Sequence, residues 1–520
     1  MSSTIPGDRP AWRLADLARH AGLALHGADV EITGLTADSR RVRPGDLFVA
    51  VPGTRTDGAE FVAAALAAGA AAVCTVRALD GVPTLVAADP RAALADLAAA
   101  WHGWPAREVS LAGITGSLGK TSTALLVQAC LAGGGGMRVG VIGSLGVRAR
   151  GTVHDTGMTT PDAVVMQQEL RWMADEGVAW AVMEVSSHGI LLDRVRGLEL
   201  ALGVFTNLVP DEHLEFHPTP EHYVETKLRF LDMLRPGAPL VFDADDAMVA
   251  AAVGDRRPAN AVGVSLQARD DAAVVVRDVR RHAAGSDFTL ELRRPLETIA
   301  GAVVADGGAP LRLPLRLPLL GRQQIGNAAL AAVAAMLAGV PPADVAAGLA
   351  RVAPIRRRME IVHAADPLVI DDTAGNARSI ELVRETVTTI APERLRIAYV
   401  VRGLRGPTVN AHNAEALADL ALEAGATLVV SASEDAADER NRTSDEERDA
   451  VLETLRRRGV PFAYEPRLAD AVRLVLDGAG PGDVVLLLGA QGMDAGAGMV
   501  RAELDARLKT IGARPEASTV

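Results

Sequence analysis

Apolar and polar positions change rhythm twice along the chain. Up to about residue 105, short helical and strand-like pieces alternate. Within them Gly45-Asp46 reads as a turn, Leu47–Val51 as a strand and Glu60 to Ala68 as a helix. From Val109 the pattern becomes strand, loop, helix. Val109–Ile114 is an apolar strand, TGSLGKT a glycine loop, and Ser122–Ala132 a helix ended by four glycines, Gly133 to Gly136. Further strands are expected at Arg138–Ile142, Val178–Val185 and Leu200–Phe205, each running into polar residues. Apolar runs separated by helices imply a mostly parallel sheet with its site at the carboxyl ends of the strands. Residues 272–320 alternate with period two and predict an antiparallel addition, closed by a helix over Gln324–Leu337. Ala353–Arg358 (APIRRR) reads as a hinge. Beyond it Leu368–Asp371, Leu395–Val401, Thr427–Ser431 and Asp483–Gly489 are strands between helices. The fold class is therefore α/β in three domains, bounded at 1–107, 108–352 and 353–520. The charged stretch 434–451 reads as a solvated helix or loop, and the last eight residues as disordered.

Composition narrows the function classes. The 520 residues carry a net charge of −12, which argues against a nucleic-acid binder. Two cysteines, Cys74 and Cys130, cannot build a disulfide framework, so a reducing cytoplasm is expected. The start, MSSTIPGDRPAWRL, has no apolar core, and the longest apolar run, Phe61 to Val76, is too short to span a bilayer. Lysine is the informative residue. Of 53 basic residues only Lys120, Lys227 and Lys509 are lysine, so a lysine is most interesting where arginine cannot serve. Arginine keeps its charge, whereas lysine offers a compact amine that can lose its proton and react. Lys509, near the polar C-terminal tail, reads as a surface residue.

Two motifs carry chemistry by themselves. Gly116-Ser117-Leu118-Gly119-Lys120-Thr121 lies between a strand and a helix. Glycines let backbone N–H groups close around phosphate oxygens, and the helix N-terminus adds its partial positive charge. Lys120 would pair with the β- and γ-phosphates of ATP, and the Thr121 hydroxyl would bind Mg²⁺. The strict G-x4-G-K spacing is absent, since position 114 is Ile. Glu184 ends another apolar run and would enter the same crevice as a Mg²⁺ ligand. Further on, Thr219 reads as an N-cap with Pro220 as the first helical residue, so that Lys227 shares a face with Tyr223. His213 and His217 precede that helix; either could ligate a metal, although a lone histidine is more often structural.

Together these residues resemble the Mur ligase family, most closely its MurE-type UDP-N-acetylmuramoyl-L-alanyl-D-glutamate ligases. Leu35-Thr36-Ala37-Asp38-Ser39-Arg40 with Pro44-Gly45-Asp46-Leu47-Phe48 resembles the family's uridine-nucleotide module, and TGSLGKT its ATP loop. The resemblance implies an N-terminal UDP-substrate domain, a central ATP-binding domain with a P-loop parallel sheet, and a Rossmann-like C-terminal domain. It implies that Gly116, Ser117, Gly119, Lys120, Thr121, Asn327, Arg358 and Asp371 hold the nucleotide. Ser39, Thr159, Thr160, Ser186 and Arg194 would hold a UDP-MurNAc-peptide acceptor. Thr121, Glu184, His213 and a carbamylated Lys227 would hold two Mg²⁺ ions, with Lys120, Lys227 and Arg358 catalytic. The implied reaction has a carboxylate attack the γ-phosphate of ATP, after which an amino acid displaces phosphate from the acyl phosphate. Because two anions meet in the first step, cations dominate catalysis. A cytoplasmic monomer acting on small molecules, with no nucleic-acid or membrane partner, is expected.

Departures concentrate in the third domain. The family's aspartate followed by Tyr-Ala-His-Thr-Pro-Asp is here Asp371-Asp372-Thr373-Ala374-Gly375-Asn376-Ala377. The Asp-Asn-Pro-Arg motif that reads diaminopimelate is missing, its region running through Glu434-Asp435 and Glu439-Arg440-Asn441. The late Gly-Lys-Gly-His-Glu motif is Gly489-Ala490-Gln491-Gly492-Met493-Asp494. The incoming amine is therefore expected to be other than meso-diaminopimelate. Arg402 and Arg405 are candidates for a substrate carboxylate, ranked below a surface or phosphate-facing role. Two further readings stand beside the ligase: a paralogue coupling another acceptor and amine, and a nucleotide-binding scaffold that no longer ligates.

Overall fold

The computed structural model describes residues 11–53, 56–210, 216–256, 260–282, 284–304, 310–439 and 441–512, the last five without their side chains. The chain gathers into two compact units. One comprises residues 1–276, 290–313 and 327–348; the other comprises 277–289, 314–326 and 349–520.

The first unit holds two principal sheets. The smaller has five strands in the order Ala24–His26, Thr84–Val86, Ala72–Thr75, Asp46–Val49, Gly34–Thr36. All pairs are parallel except the first. Leu14, Leu17, Leu47, Val49, Leu85 and Leu97 form its core. Instead of one helix over Glu60–Ala68, a 3-10 turn at Gly58–Phe61, capped by Asp57, leads into a short helix at Val62–Ala67. Cys74 and Cys130 are buried and unbridged, and burial pushes the Cys74 thiol up to about 12. No described helix is long and apolar enough to cross a membrane.

The larger sheet positions the site. Its order begins Thr152–His154, Gly146–Ala149, Val139–Gly143, Trp180–Glu184, Ser110–Thr115, Leu202–Phe205, Pro239–Asp243, Asn260–Ser265, Val274–His282. From Val139 through Val275 every neighbour is parallel. The expected antiparallel addition is thus corrected at its first strand, which joins Asn260–Ser265 in parallel through Val264↔Val274. Period-two alternation reports only that one face is buried, not the direction of the neighbour. Strands buried on both faces explain the near-continuous apolar runs: Leu111, Ile142, Met183 and Phe205 are all buried. Ser110–Thr115 lies between Trp180–Glu184 and Leu202–Phe205, so the chain leaves it in both directions. A ligand crevice opens beyond the carboxyl ends at such a switch point.

The second unit contains a six-stranded sheet ordered Glu360–His363, Leu368–Asp372, Asp483–Leu488, Arg394–Val400, Thr427–Ser431, Phe462–Tyr464. Only the first pair is antiparallel. Helices Ala377–Ile390, Pro407–Glu423, Asp445–Arg457 and Leu468–Leu476 connect the strands, as a Rossmann-like domain requires. Within the charged stretch, Ser444 and Glu447 form a reciprocal cap on Asp445–Arg457. Glu447 is buried there and also accepts from the N–H groups of Arg405 and Gly406. The C-terminal tail, residues 513–520, lies outside the described residues, as does the side chain of Lys509.

Candidate functional site

The strand Ser110–Thr115 runs into the glycine loop, and helix Lys120–Leu131 starts at its end. Gly116 and Gly119 take φ of +140° and +83°, and a Cβ at Gly116 would lie 1.9 Å from Thr206 Oγ1. Only glycine fits that turn. The loop is held from the next strand end. Ser117 N donates to Asn207 O (3.0 Å), Leu118 N donates to Asn207 Oδ1 (2.8 Å), and Asn207 Nδ2 donates to Leu118 O (3.0 Å). Asn327 packs on the loop as well, since a Cβ at Gly119 would stand 2.7 Å from its Oδ1.

Both singled-out lysines meet here. Lys120 Nζ donates to Gly116 O (2.8 Å) and Ser117 O (2.9 Å). Lys227 Nζ donates to the same Gly116 O at 2.6 Å, although the two lysines lie far apart in the chain. Lys227 is only 1% exposed and sits over the Tyr223 ring at 5.6 Å. The Tyr223 hydroxyl in turn bonds Ser117 Oγ at 2.8 Å. Helix Pro220–Leu228 sets this geometry, with Thr219 accepting from His222 N at its start. Two ammonium groups donating to one carbonyl oxygen repel each other.

Glu184 ends its strand 1% exposed, held from two sides. Thr121 Oγ1 donates to its Oε2 (3.0 Å), and Ser144 N donates to its Oε1 (2.8 Å). A Cβ at Gly143 would come within 2.2 Å of Oε1, so the carboxylate occupies space that only glycine leaves open. A hydroxyl and a carboxylate beside a phosphate-type loop suit Mg²⁺, a hard cation that keeps several waters and takes one or two protein oxygens. The glycine cradle and Lys120 suit a polyphosphate equally. His213 lies outside the described residues. His217 is wholly buried, within hydrogen-bond distance of Ser187 Oγ (3.1 Å) and His222 Nδ1 (2.9 Å).

The residues expected to hold the acceptor form the other end of the same network. Thr160 Oγ1 donates to Glu184 O (2.9 Å) and lies 3.0 Å from Ser186 Oγ, which caps helix Ser187–Leu191 by accepting from Gly189 N. Arg194 Nη1 donates to Thr160 O (2.9 Å), and Thr159 Oγ1 meets Ser144 Oγ at 2.8 Å. Gly116, Ser117, Gly119, Lys120, Thr121, Thr159, Thr160, Glu184, Ser186, Arg194, Lys227 and Asn327 therefore belong to one region of the first unit. Sequence reasoning missed Ser144 and Asn207. The only available signal was their place immediately beyond an apolar run, on the carboxyl edge of the sheet.

Three expected site residues lie elsewhere. Ser39 opens a 3-10 turn, Ser39–Arg41, beside the five-stranded sheet. Arg358 and Asp371 belong to the second unit. Arg358 Nη1 donates to Arg357 O at 2.9 Å. Asp371 has no exposed surface; its Oδ1 accepts from Arg357 Nε at 3.3 Å. Burial pushes its carboxyl up to about 6 while Arg357 pulls the other way. In this arrangement Asp371 forms a buried ion pair with Arg357. Arg357, unremarked in the sequence, also binds Ala490 O, Gly489 O and Asp494, and so secures the segment that replaces the late family motif. Arg402 Nη1 donates to Gly375 O at 2.7 Å, within the loop that replaces the other one.

Comparison with known proteins covers most of the chain. Residues 31–102 match the "Mur ligase family, catalytic domain", 114–336 the "Mur ligase middle domain", and 357–491 the "Mur ligase, glutamate ligase domain". A UDP-N-acetylmuramoyl-L-alanyl-D-glutamate–2,6-diaminopimelate ligase from Streptomyces avermitilis is 34% identical, covering 95% of both chains. One of the same name from Rhizobium meliloti is 36% identical, over 73% of this chain and 75% of its own. Among solved structures, MurF from Acinetobacter baumannii superposes with a TM-score of 0.67 at 18% identity, covering 96% of this chain and all of its own. MurF from Thermotoga maritima in complex with ADP has a TM-score of 0.60 at 20% identity, covering 91% and 98%. These structural likenesses speak to the fold.

Proposed function

The chain belongs to the Mur ligase family, and on that premise we propose that it joins a UDP-MurNAc-L-Ala-D-Glu acceptor to an amino acid at the expense of ATP, in peptidoglycan precursor synthesis. The observation that carries the proposal is the convergence of Lys120 and Lys227 on Gly116 O, beside the Thr121–Glu184 pair. The acceptor carboxylate attacks the γ-phosphate to give an acyl phosphate and ADP; the amine then displaces phosphate and forms the amide. Lys120 offsets charge on the transferring phosphoryl group. Mg²⁺, held through Thr121 and Glu184 and by a carbamylated Lys227 with His213, would screen the phosphate oxygens. Carbamylation suits Lys227, because it turns the second of two crowded cations into an anion. Thr159, Thr160, Ser186 and Arg194 orient the acceptor so that its carboxylate meets the phosphate. Arg358 is proposed to add a further positive charge. We take the domain limits to be 1–107, 108–352 and 353–520, and the working form to be a cytoplasmic monomer.

The amine requires a correction. The lost Asp-Asn-Pro-Arg motif argued against diaminopimelate, but relatives covering 95% and 73% of this chain are named for that amine, so its exclusion is withdrawn. Diaminopimelate becomes the first amine to try. The test is phosphate release from ATP with Mg²⁺ and UDP-MurNAc-L-Ala-D-Glu across the common amino acids and both diaminopimelate isomers, with mass detection of product. Amine-dependent release is expected. Silence across the panel would refute the proposed substrates, and ATP binding without the UDP-sugar and without turnover would favour the scaffold.

A further inference from the structure

Ser144 stands where two halves of the site meet. It follows the strand Val139–Gly143 and is exposed, so it contributes nothing to the core. Its N–H holds Glu184 Oε1 at 2.8 Å, and its hydroxyl lies 3.4 Å from Glu184 Oε2 and 2.8 Å from Thr159 Oγ1. Glu184 Oε2 also accepts from Thr121 Oγ1 on the helix that opens at the phosphate loop. An uninterrupted path of hydrogen-bonding groups therefore runs from Thr121 through Glu184 and Ser144 to Thr159.

A serine hydroxyl has one proton to donate and two lone pairs to accept with. When Thr159 Oγ1 donates to Ser144, the Ser144 proton is directed to Glu184 Oε2. When Thr159 accepts instead, that proton is withdrawn from the carboxylate. Whatever engages the Thr159 hydroxyl thus decides how Ser144 presents itself to Glu184.

We propose that Ser144 is a positioning residue that couples occupation of the acceptor site at Thr159 to the orientation of the Glu184 carboxylate, and thereby to binding of the magnesium nucleotide. The proposal rests on the acceptor reading above. A ligand that donates to the Thr159 hydroxyl leaves Thr159 to donate to Ser144, which directs the Ser144 proton onto Glu184 Oε2 and fixes the carboxylate that would meet the cation, so each ligand strengthens the other.

Calorimetric titration of the full-length protein tests it, using a non-hydrolysable ATP analogue with and without Mg²⁺, and UDP-MurNAc-L-Ala-D-Glu. In the wild type each ligand is expected to tighten the other by about 5-fold or more, the lower range of measured couplings. Ser144→Ala is expected to bring that factor to about 1 and to weaken the analogue only when Mg²⁺ is present, with an unchanged melting temperature. Ser144→Thr keeps the hydroxyl and restores coupling. Thr159→Val loses coupling as Ser144→Ala does, and the double variant loses no more. Wild-type coupling in Ser144→Ala, or equal weakening with and without Mg²⁺, would overturn the proposal, as would a wild type that binds the two ligands independently. A wild type that binds the nucleotide but not the UDP-sugar would contradict the proposed substrate. The Mg²⁺-dependence of Ser144→Ala would then still decide whether Ser144 sets Glu184.

Discussion

Lys227 shows how chemistry and composition reinforce each other. In a chain that writes arginine almost everywhere, a buried lysine beside Lys120 on Gly116 O places an amine that can lose its proton and react where a guanidinium would keep its charge. Lys227→Ala is expected to lower kcat by roughly 10²-fold or more, the loss typical of removing a group that stabilises transition-state charge. Nucleotide binding should survive, and Lys227→Arg should not rescue turnover; equal losses of folding and activity would contradict this. Asp371 supports a prediction of a different kind. Its carboxyl is raised from the ordinary 3.8 to about 6 by burial, so its stabilising contribution is complete below the lower value and lost as pH rises through the upper. The unfolding free energy of wild type relative to Asp371→Asn should therefore fall between pH 4 and pH 6 in urea titrations. A flat or rising difference would contradict the assignment. Lysine rarity marked Lys227 in the sequence. Beyond its place after an apolar run nothing local marked Ser144, because its meaning comes from Glu184, forty residues away.

At the scale of elements, strand ends and caps were readable where a single stretch of chain contains the cause. The phosphate loop, the Glu184 strand and the Thr219-Pro220 start of the Lys227 helix lie where apolar runs and turn residues put them. What escaped was sheet order. Val139–Gly143 lies beside Trp180–Glu184, which is how Ser144 reaches Glu184, and Val274–His282 joins in parallel. Neither depends on anything within one segment, since an alternating strand accepts a neighbour of either direction. Loss of the Thr219 cap by Thr219→Ala should cost about 1 kcal/mol in chemical denaturation and reduce activity far less than Lys227→Ala. Gly116→Ala is a harsher change, because φ of +140° and the 1.9 Å approach to Thr206 Oγ1 leave no place for a methyl group. It should abolish nucleotide binding; a variant with wild-type affinity would show that the loop can rearrange.

For the whole molecule, three principal sheets organise the described residues. The α/β class and the central site could be read because phosphate-loop chemistry needs few residues, close together in sequence. The second unit was harder, because its family motifs are replaced by Asp371 to Ala377 and Gly489 to Asp494, and the fastening made by Arg357 links segments more than a hundred residues apart. Family membership explains why such a unit is present; under the proposed function, the amine is selected by side chains that depart from the family motifs. Under the proposed function a carboxylate is activated by phosphorylation at the Lys120–Lys227 site. The most direct test labels the acceptor carboxylate with oxygen-18 and follows the isotope during turnover with ATP and the preferred amine. Transfer of one labelled oxygen into the released phosphate is the predicted result. Amide formation with unlabelled phosphate, or ATP hydrolysis that leaves the acceptor untouched, would contradict it.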